Sequence, residues 1–244
     1  MSDERRDELA ASLAAAKARV AAAERAAGRA EGDVTLLVVT KFFPASDVDH
    51  LLDLGVREFG ESREPEAGRK MAQVRGGRPD IAFDADMIGR LQRKKARSIS
   101  RWARRVHSVD SPDLVDALGG AANRSLDDGE RTEALGILLQ ISLDGDPERG
   151  GLLEADLGWA AERVAAHSGA LRLDGLMVIA PLEAEPDEAM AQAAAVRERF
   201  VADHPDAREL SAGMSGDLEQ AIAHGSTCVR VGTAIMGARP ILSP

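Results

Sequence analysis

Residues 34–60 read VTLLVVTKFFPASDVDHLLDLGVREFG, and this stretch decides the fold. VTLLVVT at 34–40 is an apolar, β-branched run of the kind that forms a buried strand. SDVDHLLDLG at 46–55 reads as a helix, and VREFG at 56–60 opens a second strand. Strand, helix and strand in so short a span make a parallel unit.

The same rhythm continues outward from this unit. Six more strand-like segments follow: IAFDADMIG (81–89), RVHSVD (105–110), GILLQISL (136–143), LRLDGLMVIA (171–180), ELSAG (209–213) and TCVRVG (227–232). Helical stretches such as SPDLVDALGGAANR and DEAMAQAAAVRERFVADH separate them. Eight strands alternating with helices predict an α/β fold, a (β/α)8 barrel over about residues 34–239. The third and seventh segments are the weakest, because Asp84, Asp86 and Gly213 form strands poorly. An open doubly wound sheet is the alternative, but it would place a Gly-rich turn after its first strand, where this chain has KFFP. Upstream, residues 3–28 predict one added helix with Leu9, Leu13 and Val20 facing inward, ended by Gly28 and Gly32. No long linker divides these units, so a single domain is expected.

Composition narrows the function classes. The chain has 244 residues, 44% of them hydrophobic, and a formal net charge of −10. With only 3% aromatic residues and no binding motif, nucleic acid is not an expected partner. The basic run from Arg90 to Arg105 reads instead as the solvated face of the helix after the third strand. The lone Cys228 allows no internal disulfide and is expected to be a buried small apolar residue. MSDERRDELA is too charged for a secretory signal and no run approaches the roughly 18 apolar residues of a membrane span, so a cytoplasmic protein without membrane partners is expected. His50, His107, His167, His204 and His224 are scattered without ligand spacing, so no metal is expected, and each is read as a surface or core histidine.

Barrels of this type place their chemistry at the C-terminal ends of the strands. Lys41 ends the first strand, and Glu61 and Ser62 follow the second. Lys41 interrupts an apolar run, where desolvation would lower its pKa and leave a neutral amine able to attack an aldehyde. A snorkelling lysine with its head in water explains the same position, and periodicity alone does not choose between them. The loops after strands seven and eight, SAGMSGD (211–217) and VGTAIMG (231–237), tip the balance. They carry glycines and the hydroxyls of Ser211, Ser215 and Thr233 where barrels commonly bind phosphate. A lysine nucleophile beside an anion site suggests a phosphorylated aldehyde.

The segments VVTKFFPASDVDHLLDLGVREFGESREPEA, MIGRLQRKKARSI, LDGLMVIAP and SAGMSGDLEQAIAHGSTCVRVGTAIMGAR resemble, in order and spacing, the pyridoxal phosphate homeostasis protein family. The resemblance runs from about residue 34 to 239. It implies the fold of the alanine racemase N-terminal domain, with pyridoxal 5′-phosphate bound as a Schiff base on Lys41. It further implies that Ser211, Ser215, Gly232 and Thr233 hold the phosphate and that Arg230 lies against the pyridine nitrogen. The chain departs from the family pattern at Ala85–Asp86, where Trp-His is usual, at Lys94, where Asn is common, and at Ser62, where Asn is frequent.

Two functions compete for such a site: a carrier that maintains intracellular cofactor levels, and an amino-acid racemase. Racemisation needs two opposed proton-transfer groups. In the related racemases the second is a tyrosine from another domain, whereas this chain has no tyrosine and no residues left for such a domain. An arginine at the ring nitrogen also weakens the electron sink that carbanion chemistry exploits. The expectation is a monomeric carrier without evident turnover, with cofactor-dependent apo-enzymes as candidate recipients.

Overall fold

The computed structural model describes residues 2–146, 149–181 and 183–238. Its eight strands are β1 (Thr35–Val39), β2 (Glu58–Glu61), β3 (Asp84–Met87), β4 (Arg105–Val109), β5 (Leu135–Ile141), β6 (Leu171–Val178), β7 (Glu209–Ser211) and β8 (Cys228–Val231). They pair in chain order, all parallel, and β8 returns to β1, so the sheet closes. That closure excludes the open sheet. Every strand lies within or one residue beyond its expected segment. The end expected near residue 239 falls just outside the described residues.

The two segments poor in strand formers give short strands, of four residues at β3 and three at β7. Carboxylates in β3 are tolerated because Arg104 neutralises them. Its Nη1 lies 3.1 Å from Asp84 and its Nη2 2.8 Å from Asp86, with Glu58 at 2.7 Å. The basic run therefore divides, which corrects the single solvated face expected for it. Arg93–Lys95 form a 3-10 turn and Ala96–Ile99 a short helix, with Lys94 exposed. Arg104 is partly buried, and Arg105 is buried at the start of β4 against Asp86, Asp174 and Glu209. Hydrophobic spacing does not show this, because an arginine that begins a barrel strand faces the strand's interior neighbours, not solvent.

The helices α1 (Ser2–Ala26), α2 (Ala45–Asp53), α3 (Glu66–Gly77), α4 (Ala96–Ile99), α5 (Pro112–Asp127), α6 (Leu157–Ala166), α7 (Pro186–Asp203), α8 (Leu218–Ala223) and α9 (Thr233–Met236) complete the fold. On α1, Leu9, Leu13, Ala16, Val20 and Ala23 are buried at alternating spacings of four and three, one continuous stripe. This stripe packs on α2, α8 and α9, over the seam where β1 meets β8. Each large side chain in it contributes about 1.5–3 kcal/mol of burial, so a charge at Leu13 would detach the helix. Gly28, with φ +69, ends the helix in the left-handed conformation that suits glycine. Cys228 is buried, as expected, and burial pushes its thiol up to about 12.

Candidate functional site

The seam brings distant parts of the sequence to one rim. Leu37 pairs with Arg230 and Val38 with Val231, so the residues that follow, Lys41 on one side and Gly232–Thr233 on the other, leave neighbouring strands at the same end. A Cβ built on Gly232 would lie 3.4 Å from the Val39 carbonyl oxygen, an ordinary contact.

Lys41 is half-buried, and Phe42 beyond it has φ +71, an uncommon conformation for a bulky residue. Buried charge holds this turn in place. The Lys70 ammonium donates to the carbonyls of Thr40 (2.8 Å) and Phe43 (3.0 Å) and pairs with buried Glu61 at 2.5 Å. Glu61 also accepts a 2.6 Å bond from the Thr40 hydroxyl. A cavity of about 550 Å³ opens beside this turn, lined by Lys41, Phe42, Phe43, Glu61, Arg69 and Lys70 among others.

Two loops complete the rim. In the first, Gly213 has φ +92 and a Cβ there would sit 2.6 Å from that of Ala221, so only glycine fits. Asp217 accepts a 2.6 Å bond from the Met214 amide. Among the described residues, the amides of Ser215 and Gly216 in this loop, and of Thr233 and Ala234 in the other, donate to no acceptor. Four free amides on two adjacent loops suit an anion. Helix α1 braces both loops from outside. Arg19 reaches the Ser215 carbonyl at 3.2 Å, Ser12 the Ile235 carbonyl at 2.9 Å, and Arg5 the Met236 carbonyl at 3.0 Å.

Arg230 is 5% exposed. Its Nη1 donates to Ser211 Oγ at 2.7 Å and its Nη2 to the Val178 carbonyl at 2.8 Å. Burial works against its charge, and among the described residues no carboxylate pairs with it. Ser211 also contacts His107 Nδ1 at 3.0 Å, and His107 Nε2 lies 3.0 Å from Asp86 Oδ2. Burial lowers the His107 pKa, partly offset by Asp86. Burial alone would raise that of Asp86, but His107 and Arg104 together hold it well below the usual carboxylate range.

Of the six residues the sequence singled out, five therefore gather at the rim or just beneath it: Lys41, Ser215, Arg230, Gly232 and Thr233. Ser215 and Gly232 are half-buried and Thr233 is exposed. Ser211 is fully buried on β7, deeper in the barrel, with its oxygen engaged by Arg230 and His107. His107 is a core histidine, but its pairing role, that of Glu61, and Lys70 escaped the sequence reading. A lysine on an amphipathic helix and a lone histidine in a strand give no local sign of what they meet across the fold. Asp86, a poor strand former in an apolar segment, was the available clue. A further cavity, of about 290 Å³, lies at the mouth between Gln140, Arg149, Ile179 and Met214.

Residues 11–240 match the model of the alanine racemase N-terminal domain family. A protein of Mycobacterium tuberculosis named pyridoxal phosphate homeostasis protein is 48% identical over 222 residues, 87% of this chain and 86% of its own. PipY of Synechococcus elongatus, solved with pyridoxal phosphate bound, is 29% identical with a TM-score of 0.76, covering 94% of this chain and 100% of that one. An alanine racemase from Corynebacterium glutamicum shares the fold, with a TM-score of 0.67 at 15% identity, over 98% of this chain and 63% of its own.

Proposed function

The chain belongs to the alanine racemase N-terminal domain family, among the pyridoxal phosphate homeostasis proteins, and from that premise we propose that it holds pyridoxal 5′-phosphate on Lys41 as a carrier. When bound, this cofactor supplies an aldehyde, the electrophile that a lysine amine captures.

One observation carries the reading: among the described residues, a buried guanidinium without a carboxylate partner lies beneath a rim that also presents an amine and four free amides. An unpaired buried cation is costly, so Arg230 is fitted to meet an acceptor from outside the chain. In this assignment Arg230 faces the ring nitrogen. Ser215, Gly232 and Thr233 hold the phosphate through their loops, mainly by backbone donors. Ser211 we assign to Arg230 rather than to the anion, because its oxygen is already taken. We treat residues 3–28 and 34–239 as one cofactor-binding unit, since α1 braces both anion loops.

The carrier reading is preferred to racemase chemistry on this chain's own residues. A donor-only guanidinium at the ring nitrogen leaves that nitrogen unprotonated, and no tyrosine exists to move a proton on the face opposite Lys41. Transfer to apo-enzymes that use the cofactor follows as the proposed role, carried out by a monomer in the cytoplasm.

The test is the absorption spectrum of purified protein with pyridoxal phosphate, followed by borohydride reduction and peptide mass analysis. Cofactor fixed to the peptide containing Lys41 is the expected result, and its loss in Lys41→Ala should leave weaker, non-covalent binding at the loops. A reducible adduct at full occupancy in Lys41→Ala would defeat the assignment.

A further inference from the structure

We propose that Asp86, His107 and Ser211 form a positioning relay through the barrel interior that fixes the orientation of Arg230 toward the cofactor ring. This rests on the reading above, in which Arg230 faces that ring. Three consecutive contacts make the relay: 2.7 Å from Arg230 to Ser211, 3.0 Å from Ser211 to His107 and 3.0 Å from His107 to Asp86. Asp86, His107 and Ser211 are each 0% exposed, so no solvent competes for these bonds.

The chemistry of the groups sets the direction of every proton. A guanidinium only donates, so Ser211 Oγ accepts from Arg230. Asp86, ionised beside Arg104, only accepts, so His107 must carry its proton on Nε2. A buried neutral histidine then offers Nδ1 as an acceptor, and the Ser211 hydroxyl donates to it. In the other neutral tautomer the Nε2 lone pair would face the Asp86 carboxylate, acceptor to acceptor, inside the barrel. Ser211 is thereby held with a lone pair toward Arg230. The second guanidinium bond, to the Val178 carbonyl at 2.8 Å, gives the planar group two fixed points on different strands.

The relay also accounts for a carboxylate in a β-strand interior. Asp86 reaches the outer charge cluster through Arg104, whose Nε and Nη2 donate to it at 3.0 and 2.8 Å. The chain of bonds thus runs from the charged floor of the barrel to its ligand-facing mouth.

The test compares wild type with Ser211→Ala, His107→Leu and His107→Gln. Glutamine can donate to Asp86 and accept from Ser211, so it keeps the direction of the relay. Ser211→Ala and His107→Leu are expected to shift the visible band of bound pyridoxal phosphate and raise its dissociation rate about tenfold, the loss of one hydrogen bond to a charged group. His107→Gln is expected to restore both. In cofactor-free protein, nitrogen-15 NMR of the His107 ring should show the proton on Nε2. Ser211→Ala removes a single oxygen, so it serves alone if His107→Leu fails to fold. A lower melting temperature with an unchanged band and rate would reduce the three residues to a structural role and overturn the relay. So would a His107 proton on Nδ1, or an imidazolium. Wild type that binds no pyridoxal phosphate would instead overturn the carrier reading beneath it.

Discussion

Lys70 lies 2.5 Å from the buried Glu61, and the same ammonium caps the carbonyls of Thr40 and Phe43, on either side of Lys41 and Phe42. The turn that carries Lys41 is therefore tied to α3 by a buried charge. Lys70→Met should leave Glu61 uncompensated and cost about 3 kcal/mol of stability. It should also slow cofactor capture about tenfold as the turn loosens, measured by stopped-flow absorbance. Adding Glu61→Gln should recover most of the stability but not the capture rate. A double variant that recovers both would show the pair to be structural only.

The anion loops give a second prediction. The chain itself leaves room for a Cβ at Gly232, so Gly232→Leu should fold while its side chain obstructs the ligand. Ser215→Asp should repel the phosphate directly. Each is expected to weaken cofactor affinity at least about tenfold, with melting of the cofactor-free protein shifted little. Equilibrium fluorescence titration checks it, and unchanged affinity in both variants would place the phosphate elsewhere.

Turnover separates the carrier from a racemase. With Lys41 engaged by the cofactor and no tyrosine in the chain, α-proton exchange in deuterated solvent should stay at background over a panel of L- and D-amino acids. Mass spectrometry measures it. Lys41-dependent exchange at about 1 per second or faster would overturn the carrier reading.

The buried histidine and aspartate contribute to the acid limb of stability. His107 sits below its ordinary value of 6.5, so between the two values the unfolded chain binds more protons than the folded one. Its contribution is complete above pH 6.5 and is lost as pH falls. Asp86 is also depressed, from an ordinary 3.8, and its contribution is lost only at lower pH, through its folded value. The melting temperature should hold steady from this pair above about pH 7 and fall in two stages below it. His107→Gln should remove the first stage, and a wild-type profile in that variant would contradict it.

Periodic features of this molecule were legible in the sequence. β-branched runs such as VTLLVVT mark strands because burial on both faces demands unbroken apolar sequence, and the stripe Leu9, Leu13, Val20 shows a packed helix by its spacing alone. Lys41 stood out because a charge between apolar runs is costly, a position that a snorkelling lysine also fills. Ser211 read as a loop hydroxyl, although it ends β7 and points into the barrel interior. The sequence places it one strand residue short of the turn, and strand ends are where hydrophobic pattern fades. Arg105 misled for the reverse reason, since its neighbours in the basic run are exposed while it begins a strand. Contacts such as Glu61–Lys70 and His107–Asp86 depend on register between elements, which no single segment contains.

The lysine follows the first strand and the guanidinium lies on the last, and the pairing of Leu37 with Arg230 brings both to one seam. A partly synthesised chain therefore carries the lysine without the loops that would receive a phosphate. With the cofactor held as proposed, its site does not exist until β8 slots in beside β1. In refolding, the appearance of its visible band would thus act as a clock for ring closure. Once docked, a ligand gripping both sides of the join works as a latch, because it binds the closed ring and not the open one.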